Sequence, residues 1–498
     1  MTVRIGPASP QPAPRMTPAS PTAGRGGVPR ADTFSDAKVA ARPCDVGVMA
    51  PLTVGDPAHP HSPADDAAWA DFAKTLERVK QSGVTSVSCD VWWGQAEPTE
   101  GAFDFSYFDR FLSAVEAAGL KWRPVLAFHA CGGNVGDTIS VPLPSWLGDK
   151  YASLNPAEGG DAAFSKSGQG NFNHEVLSPW ATRAALQDYR AFMSLFQAHF
   201  SAHRESMAEV VVGLGPAGEL RDPSYDAPDV GSGYSTRGAL QAYSGLAEES
   251  FRKFVLQKYG SVGSAAEAWG AALGGEKDIR PPADANGFFA RGDATSAYGK
   301  DFFDWYAGSL REHGREVLDA AVQVFDAPRA PFSGVELGPR IPGVHWRAGT
   351  DREAELTAGL LQTRDLPDWT SDAAGHGYAP IVRLVKAVGA LPNAPEVALD
   401  YTALEMSNNE GGPDVGSQAK SLVFWLAREA ARQGVPIEGE NELAGRLSDR
   451  ASWANIEDAV AWGGYQGVNL LRANDVAGNA VAEEGVRKLV HEIPGACS

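Results

Sequence analysis

Four cysteines in 498 residues, Cys44, Cys89, Cys131 and Cys497, show neither CxxC nor His–Cys ligand spacing. Without such spacing no disulfide framework and no structural zinc site is expected. No apolar run reaches membrane-spanning length, which predicts a soluble chain with no membrane partner. Positive charge is the scarcer sign: 43 Lys and Arg face 62 Asp and Glu, a formal net charge of -19. Such a balance repels phosphates, so nucleic acid is not expected as a partner. A neutral ligand is indifferent to it. Residues 1–30 hold no acidic residue and no continuous apolar core, but seven prolines and four arginines. A signal peptide needs an apolar segment of about 7–15 residues, and none is visible there. Residues 1–40 therefore read as a disordered Pro- and Arg-rich tail, and the localisation stays open.

What the chain does have is apolar content of 43% and 13 tryptophans, the composition of a well-buried, enzyme-sized body. From Asp45 onward, strand-like and helix-like stretches alternate. Strands are expected at 45–51, 85–91, 122–128, 210–214, 331–335, 396–400, 436–440 and 467–471. After the first, Ser62-Pro63 is a helix-start signature, with Trp69, Phe72, Leu76 and Val79 on one stripe. Helical patterns also lie at 184–198, 302–324, 352–361, 381–388 and 422–432. Eight strands, each trailed by helical sequence, predict an α/β fold: a single (β/α)8 barrel over 41–498, with long excursions after strands three and four.

Barrel chemistry gathers at the C-terminal ends of the strands. There the sequence places Asp90 after strand two, His129 and Asp137 after strand three, and Glu219 after strand four. Arg340 and His345 follow strand five, Thr402 and Glu405 strand six, Glu440 and Asn441 strand seven, and Arg472 strand eight. Glu219 ends a buried run, Val210-Val211-Val212, that enters a glycine-rich turn where a bulky ligand can approach the backbone. Two acids at the ends of different strands suit hydrolysis of a glycosidic bond. The aromatic pair Trp92-Trp93 supplies flat apolar faces for sugar rings, with core packing an equal alternative for each.

Several long motifs now carry a resemblance: Ser88-Cys89-Asp90-Val91-Trp92-Trp93-Gly94, the stretch 128–137 (FHACGGNVGD), and 213–225 (GLGPAGELRDPSY). Pro342-Gly343-Val344-His345-Trp346, the stretch 354–359 (AELTAG), Leu404-Glu405-Met406 and Gly439-Glu440-Asn441 extend it. In this order, from about Val46 to Arg472, the chain resembles the β-amylases, glycoside hydrolase family 14. The resemblance implies a cofactor-free barrel that releases β-maltose, with inversion, from non-reducing ends of α-1,4-glucans such as starch or maltodextrin. It implies Glu219 as general acid and Glu440 as general base, with Asp90, His129, Asp137, His345, Thr402, Asn441 and Arg472 around the sugar. Gly132, Gly133 and Gly136 fit a lid before Asp137. Inversion requires the two carboxyls roughly 6.5–9.5 Å apart, leaving room for a water.

Three residues depart from the family pattern, of which Ala403, standing where a cysteine is frequent, is harmless, while Arg340 and Glu442 bear on the site. Arg340 stands where a lysine is usual, keeping charge but changing donor geometry. Glu442 stands where a small alanine is usual. It adds negative charge two residues from Glu440 and is expected to raise that base's pKa if the two share a face. Both are counted with the substrate-binding set. The competing readings are a weak or inactive maltodextrin-binding barrel, a retaining glycosidase with carboxyls about 5–5.5 Å apart, and a metal hydrolase. The last would draw on His129, Asp90 and Asp137, which lack a metalloenzyme's paired histidines, so no metal ligand is assigned.

Overall fold

The computed structural model describes residues 45–57, 59–134 and 139–491. The expected tail over 1–40 lies outside the described residues, and so does Asp137. In chain order the strands are β1 (Asp45–Met49), β2 (Ser86–Trp92), β3 (Lys121–Ala127), β4 (Phe164–Lys166) and β5 (Phe172–Leu177). They continue with β6 (Glu209–Val212), β7 (Glu336–Ile341), β8 (Leu399–Tyr401), β9 (Ile437–Glu440) and β10 (Gly467–Leu471). Eight of them close a barrel in the order β1-β10-β9-β8-β7-β6-β3-β2, every neighbouring pair parallel. β4 and β5 pair antiparallel inside the long excursion after β3. The excursion after β6 carries the helices Gly245–Tyr259 and Val262–Trp269 before the long helix Ala297–Phe325. This is the (β/α)8 barrel the alternation predicts, with its extra length after the third and fourth barrel strands.

The helix Pro63–Ser82 shows how local sequence sets the outer ring. Ser62 Oγ accepts from Asp65 N at 3.2 Å, Pro63 occupies the first turn, and Gly83 at φ +110° ends the helix. Trp69, Phe72, Leu76 and Val79, one stripe at helical spacing, are buried against the barrel. Strand alternation does the same from the other side. Val46, Val48, Trp122, Leu126, Val210 and Val212 face outward into the apolar shell between sheet and helices.

The inward-facing residues are not aliphatic layers, the usual barrel filling. Low in the barrel, Arg123 on β3 meets three carboxylates: Asp45 at 3.0 Å, Glu209 at 3.1 Å and Glu438 at 2.8 Å. One level up, Arg340 on β7 lies 3.2 Å from Glu440 on β9 and 3.5 Å from Asp400 on β8. The barrel axis is thus a column of paired charge that opens upward into a cavity.

The fifth barrel strand is displaced from its expected place at 331–335. Those residues form a turn, with Val335 N bonded to Phe332 O at 2.8 Å and Gly334 at φ +77°. The strand begins at Glu336 and runs through Gly338-Pro339, a pair that argues against a central strand. The barrel accommodates both residues. Pairing with the β8 side is interrupted between Leu337↔Val397 and Arg340↔Asp400, so Pro339 lies in the gap. A Cβ on Gly338 would come within 1.9 Å of Glu209 Oε1, so only glycine leaves room for that buried acid. Arg340 is consequently a strand residue pointing at the barrel axis.

Candidate active site

A cavity of about 340 Å³ opens at the C-terminal ends of the barrel strands. Asp90, His129, Glu219, Arg340, Thr402, Glu440, Asn441, Glu442 and Arg472 all line it. With Met49 and Leu52 at the end of β1, residues from all eight barrel strands or their following loops, more than four hundred positions apart in sequence, meet at one place. His345 is fully buried behind the wall, and its neighbour Trp346 faces the cavity.

Glu219 is delivered by a turn whose glycines serve the chain itself. A Cβ on Gly213 would meet Leu126 O at 2.5 Å, and one on Gly215 would meet Glu219 O at 2.3 Å. Ala217 and Gly218 follow at φ +56° and +79°, folding the chain back. The expected role of these glycines, room for a ligand, is thus taken by protein backbone. Leu220 N then bonds to Arg340 O at 2.8 Å, docking the acid beside β7. The Glu219 carboxylate accepts from Arg221 Nε at 2.9 Å and from Thr402 Oγ1 at 3.4 Å, and its side chain is 15% exposed. Burial raises its pKa, opposed chiefly by Arg221 and aided by the charge of Glu442.

Glu440 has a different setting. It lies 3.2 Å from Arg340 Nη2 as an ion pair and accepts a hydrogen bond from Asn469 Nδ2 at 3.3 Å. Burial pushes its carboxyl up, Arg340 pulls it down, and the charge of Glu219 pushes it up again. On the opposite wall His129 is nearly buried, with Nε2 4.0 Å from Asp90 Oδ1 and its ring edge-on to Trp92. Burial pulls the imidazole down to about 4, so His129 is neutral near pH 7. Trp92 lines the cavity, whereas Trp93 is core, packed among Phe128, Trp146 and Tyr189.

Other predicted residues turn out to brace the site. Asn441 bonds Leu443 O at 3.2 Å and Leu471 O at 3.3 Å and accepts from Leu471 N at 2.8 Å, tying the ends of β9 and β10 together. Thr402 Oγ1 accepts from Gly343 N at 2.5 Å while donating to Glu219. Arg472 donates to Ala50 O at 3.1 Å and still reaches the cavity. Glu405 accepts from the backbone N–H of Glu442 at 2.9 Å and of Leu443 at 2.8 Å.

The expected effect of Glu442 is redirected. It does not join the main charges acting on Glu440, which are Arg340, Glu219 and Arg472. The chain turns after β9, pinned by Glu405, and Glu442 acts on Glu219 instead, with its Oε2 3.3 Å from His345 Nε2. Sequence reasoning also passed over Arg221, Glu175, Tyr225 and Trp346, which line the cavity. Arg221 was within reach: in an extended stretch, residues two apart share a side, so Glu219 and Arg221 belong together. Glu175 comes from the β4–β5 hairpin and had no local signal. As for metal ligands among the described residues, His61, Asp65 and Asp66 cluster at the start of the helix Pro63–Ser82, away from the cavity. Asp65 there already accepts from Asp56 N, His61 N and Arg110, so it serves the turn.

A parallel barrel whose strand ends gather carboxylates, guanidinium groups and aromatic faces around one polar cavity is the architecture of a barrel glycoside hydrolase. Comparison with known proteins narrows this. The sequence model of glycosyl hydrolase family 14 matches residues 49–491, and the chain belongs to that family. It is 34% identical over 413 residues to a β-amylase of Cytobacillus firmus, covering 82% of this chain and 80% of that one. It is 33% identical over 387 residues to a chloroplastic β-amylase of rice, covering 74% of this chain and 63% of the relative. The crystal structure of the catalytic domain of β-amylase from Paenibacillus polymyxa superimposes with a TM-score of 0.75 at 32% identity, over 91% of this chain and 99% of that one.

Proposed function

We propose that this chain acts as a β-amylase, an exo-acting, inverting hydrolase that releases β-maltose from the non-reducing ends of α-1,4-glucans such as starch and maltodextrins. Glu219 is the general acid and Glu440 the general base in this reading. The observation that carries it is a pair of carboxylates, Glu219 and Glu440, brought to one cavity from different barrel strands and each set beside its own guanidinium group. Burial and the nearby charge of Glu442 favour the protonated form of Glu219, which an acid needs near neutral pH. At Glu440 burial also raises the carboxyl, and the ion pair with Arg340 and the bond from Asn469 oppose that rise, favouring the ionised form a base needs.

Glu219 gives its proton to the glycosidic oxygen as the bond to the anomeric carbon breaks. Glu440 takes a proton from a water that attacks that carbon from the opposite face, inverting it. Asp90 and Arg472 offer an acceptor and a donor to sugar hydroxyls, and Trp92 and Trp346 offer apolar faces. The catalytic groups themselves move only protons while the glycosyl group passes to water, and no cofactor is used. A neutral polymer is compatible with the net charge of -19, which disfavours nucleic acid.

The test is the anomeric configuration of the first product from maltotetraose or a longer maltooligosaccharide, followed by NMR during turnover. β-Maltose is expected. An α-configured first product, or no new reducing ends at all, overturns the reading.

A further inference from the structure

We propose that Glu442 is a positioning residue for Glu219: its carboxylate stands over the same cavity, braced from behind by His345, and its negative charge holds the proton on the acid. The inference rests on the assignment of Glu219 as general acid.

The backbone fixes where Glu442 points. Its own N–H and that of Leu443 both donate to the buried Glu405 carboxylate, and Asn441 locks the preceding residue to the end of β10. The side chain then reaches toward His345, whose Nδ1 lies 2.9 Å from Ser417 Oγ and whose Nε2 lies 3.3 Å from Glu442 Oε2. His345 is fully buried, while Glu442 keeps a third of its side-chain surface open.

The charge balance gives this carboxylate its effect. Five carboxylates line the cavity (Asp90, Glu175, Glu219, Glu440 and Glu442) against three guanidinium groups. Arg221 is spent on Glu219 and Arg340 on Glu440. Among the described residues, no lysine or arginine lies within ion-pair distance of Glu442, whose recorded neighbour is His345. Glu219 shares the cavity with Arg221 from its own loop, Arg340 from β7, Glu440 from β9, Glu442 from the turn after it, Glu175 from β5, Asp90 from β2 and Arg472 after β10. Glu442 in turn acts on Tyr225, Tyr401 and Glu405. Within this set, Glu442 opposes the two arginines that favour ionisation of Glu219.

The sign of the effect follows. Removing the negative charge lets Glu219 release its proton at lower pH, and the alkaline limb of kcat/KM reports that loss. The experiment compares pH profiles of kcat/KM on a soluble maltooligosaccharide for the full chain, Glu442→Gln and Glu442→Asp, with folding checked by urea unfolding. Glutamine keeps the volume without the charge, and its alkaline limb should shift to lower pH. Aspartate keeps the charge and should stay near the parent, and added salt should narrow the gap. Superimposable alkaline limbs for the parent and Glu442→Gln overturn the proposal, as does an equal shift in Glu442→Asp. Should Glu442→Gln fail to fold, Glu442→Ala carries the same charge test. A Glu219→Gln protein with parental turnover sinks the assignment of the acid itself. An inactive Glu219→Gln beside an unmoved limb in Glu442→Gln sinks this inference alone.

Discussion

Replacing Arg340 with methionine strips the cation from two buried carboxylates at once. Arg340 is 3% exposed and lies 3.2 Å from Glu440 and 3.5 Å from Asp400. At an effective dielectric of roughly 20, each contact is worth about 5 kcal/mol of attraction before the cost of burying the ions is subtracted. Removing one partner of a buried pair destabilises by about 3–5 kcal/mol, because the other charge stays behind unpaired. Protons can relieve that cost. Burial already pushes Asp400 up to about 6, and Glu440 is also raised. Losing Arg340 raises both further. A carboxyl whose folded pKa exceeds its unfolded value binds a proton more tightly in the native state. Its favourable contribution is complete below the unfolded value and is lost as pH rises through the folded one. Each such group tilts stability downward by about 1.4 kcal/mol per pH unit across that window. Arg340→Met should therefore be close to the parent near pH 5 and weaker by about 3–5 kcal/mol near pH 8. Urea unfolding followed by tryptophan fluorescence at the two pH values measures this. A deficit equal at both, or below about 1 kcal/mol at the higher pH, would refute the reasoning.

Three further outcomes are expected. Glu219→Gln and Glu440→Gln should each fold normally and lose about 10²–10⁴-fold in kcat; near-parental turnover in Glu440→Gln removes that residue from the chemistry. Gly338→Ala should destabilise by about 1–3 kcal/mol through overpacking against Glu209, and an unchanged urea midpoint would show that Glu209 moves aside freely. EDTA treatment should leave activity unchanged, since the proposed catalytic groups move only protons; loss on chelation with recovery on adding one divalent ion would reassign the site.

Much of the site was legible because strand ends announce themselves. Val210-Val211-Val212 before Gly213 and the run ending in Glu440 place two acids at the barrel rim by local pattern alone. The helix stripe of Trp69, Phe72, Leu76 and Val79 was legible for the same reason: its spacing matches the helical period. β7 was misplaced because Gly338-Pro339 carries a local signal against a strand. The reason for both residues, the bulk of Glu209 and the interrupted ladder beside β8, lies on neighbouring strands. Glu442 shares a face with Glu440 only where the chain stays extended, and the bonds from its own N–H and that of Leu443 to Glu405 turn the chain there.

The amino-acid sequence by itself determined the alternation of strand and helix, the outward face of each strand, and which acids stand at strand ends, since these follow from periodicities of two and 3.6 residues. Closing the sheet decided the rest. Arg123 finds Asp45, Glu209 and Glu438, and Arg340 finds Asp400 and Glu440, only when β3, β6, β7, β8 and β9 converge on one axis. A charge carries no record in sequence of the partner that will neutralise it, and electrostatic energies depend on distance and burial, which the tertiary structure alone sets.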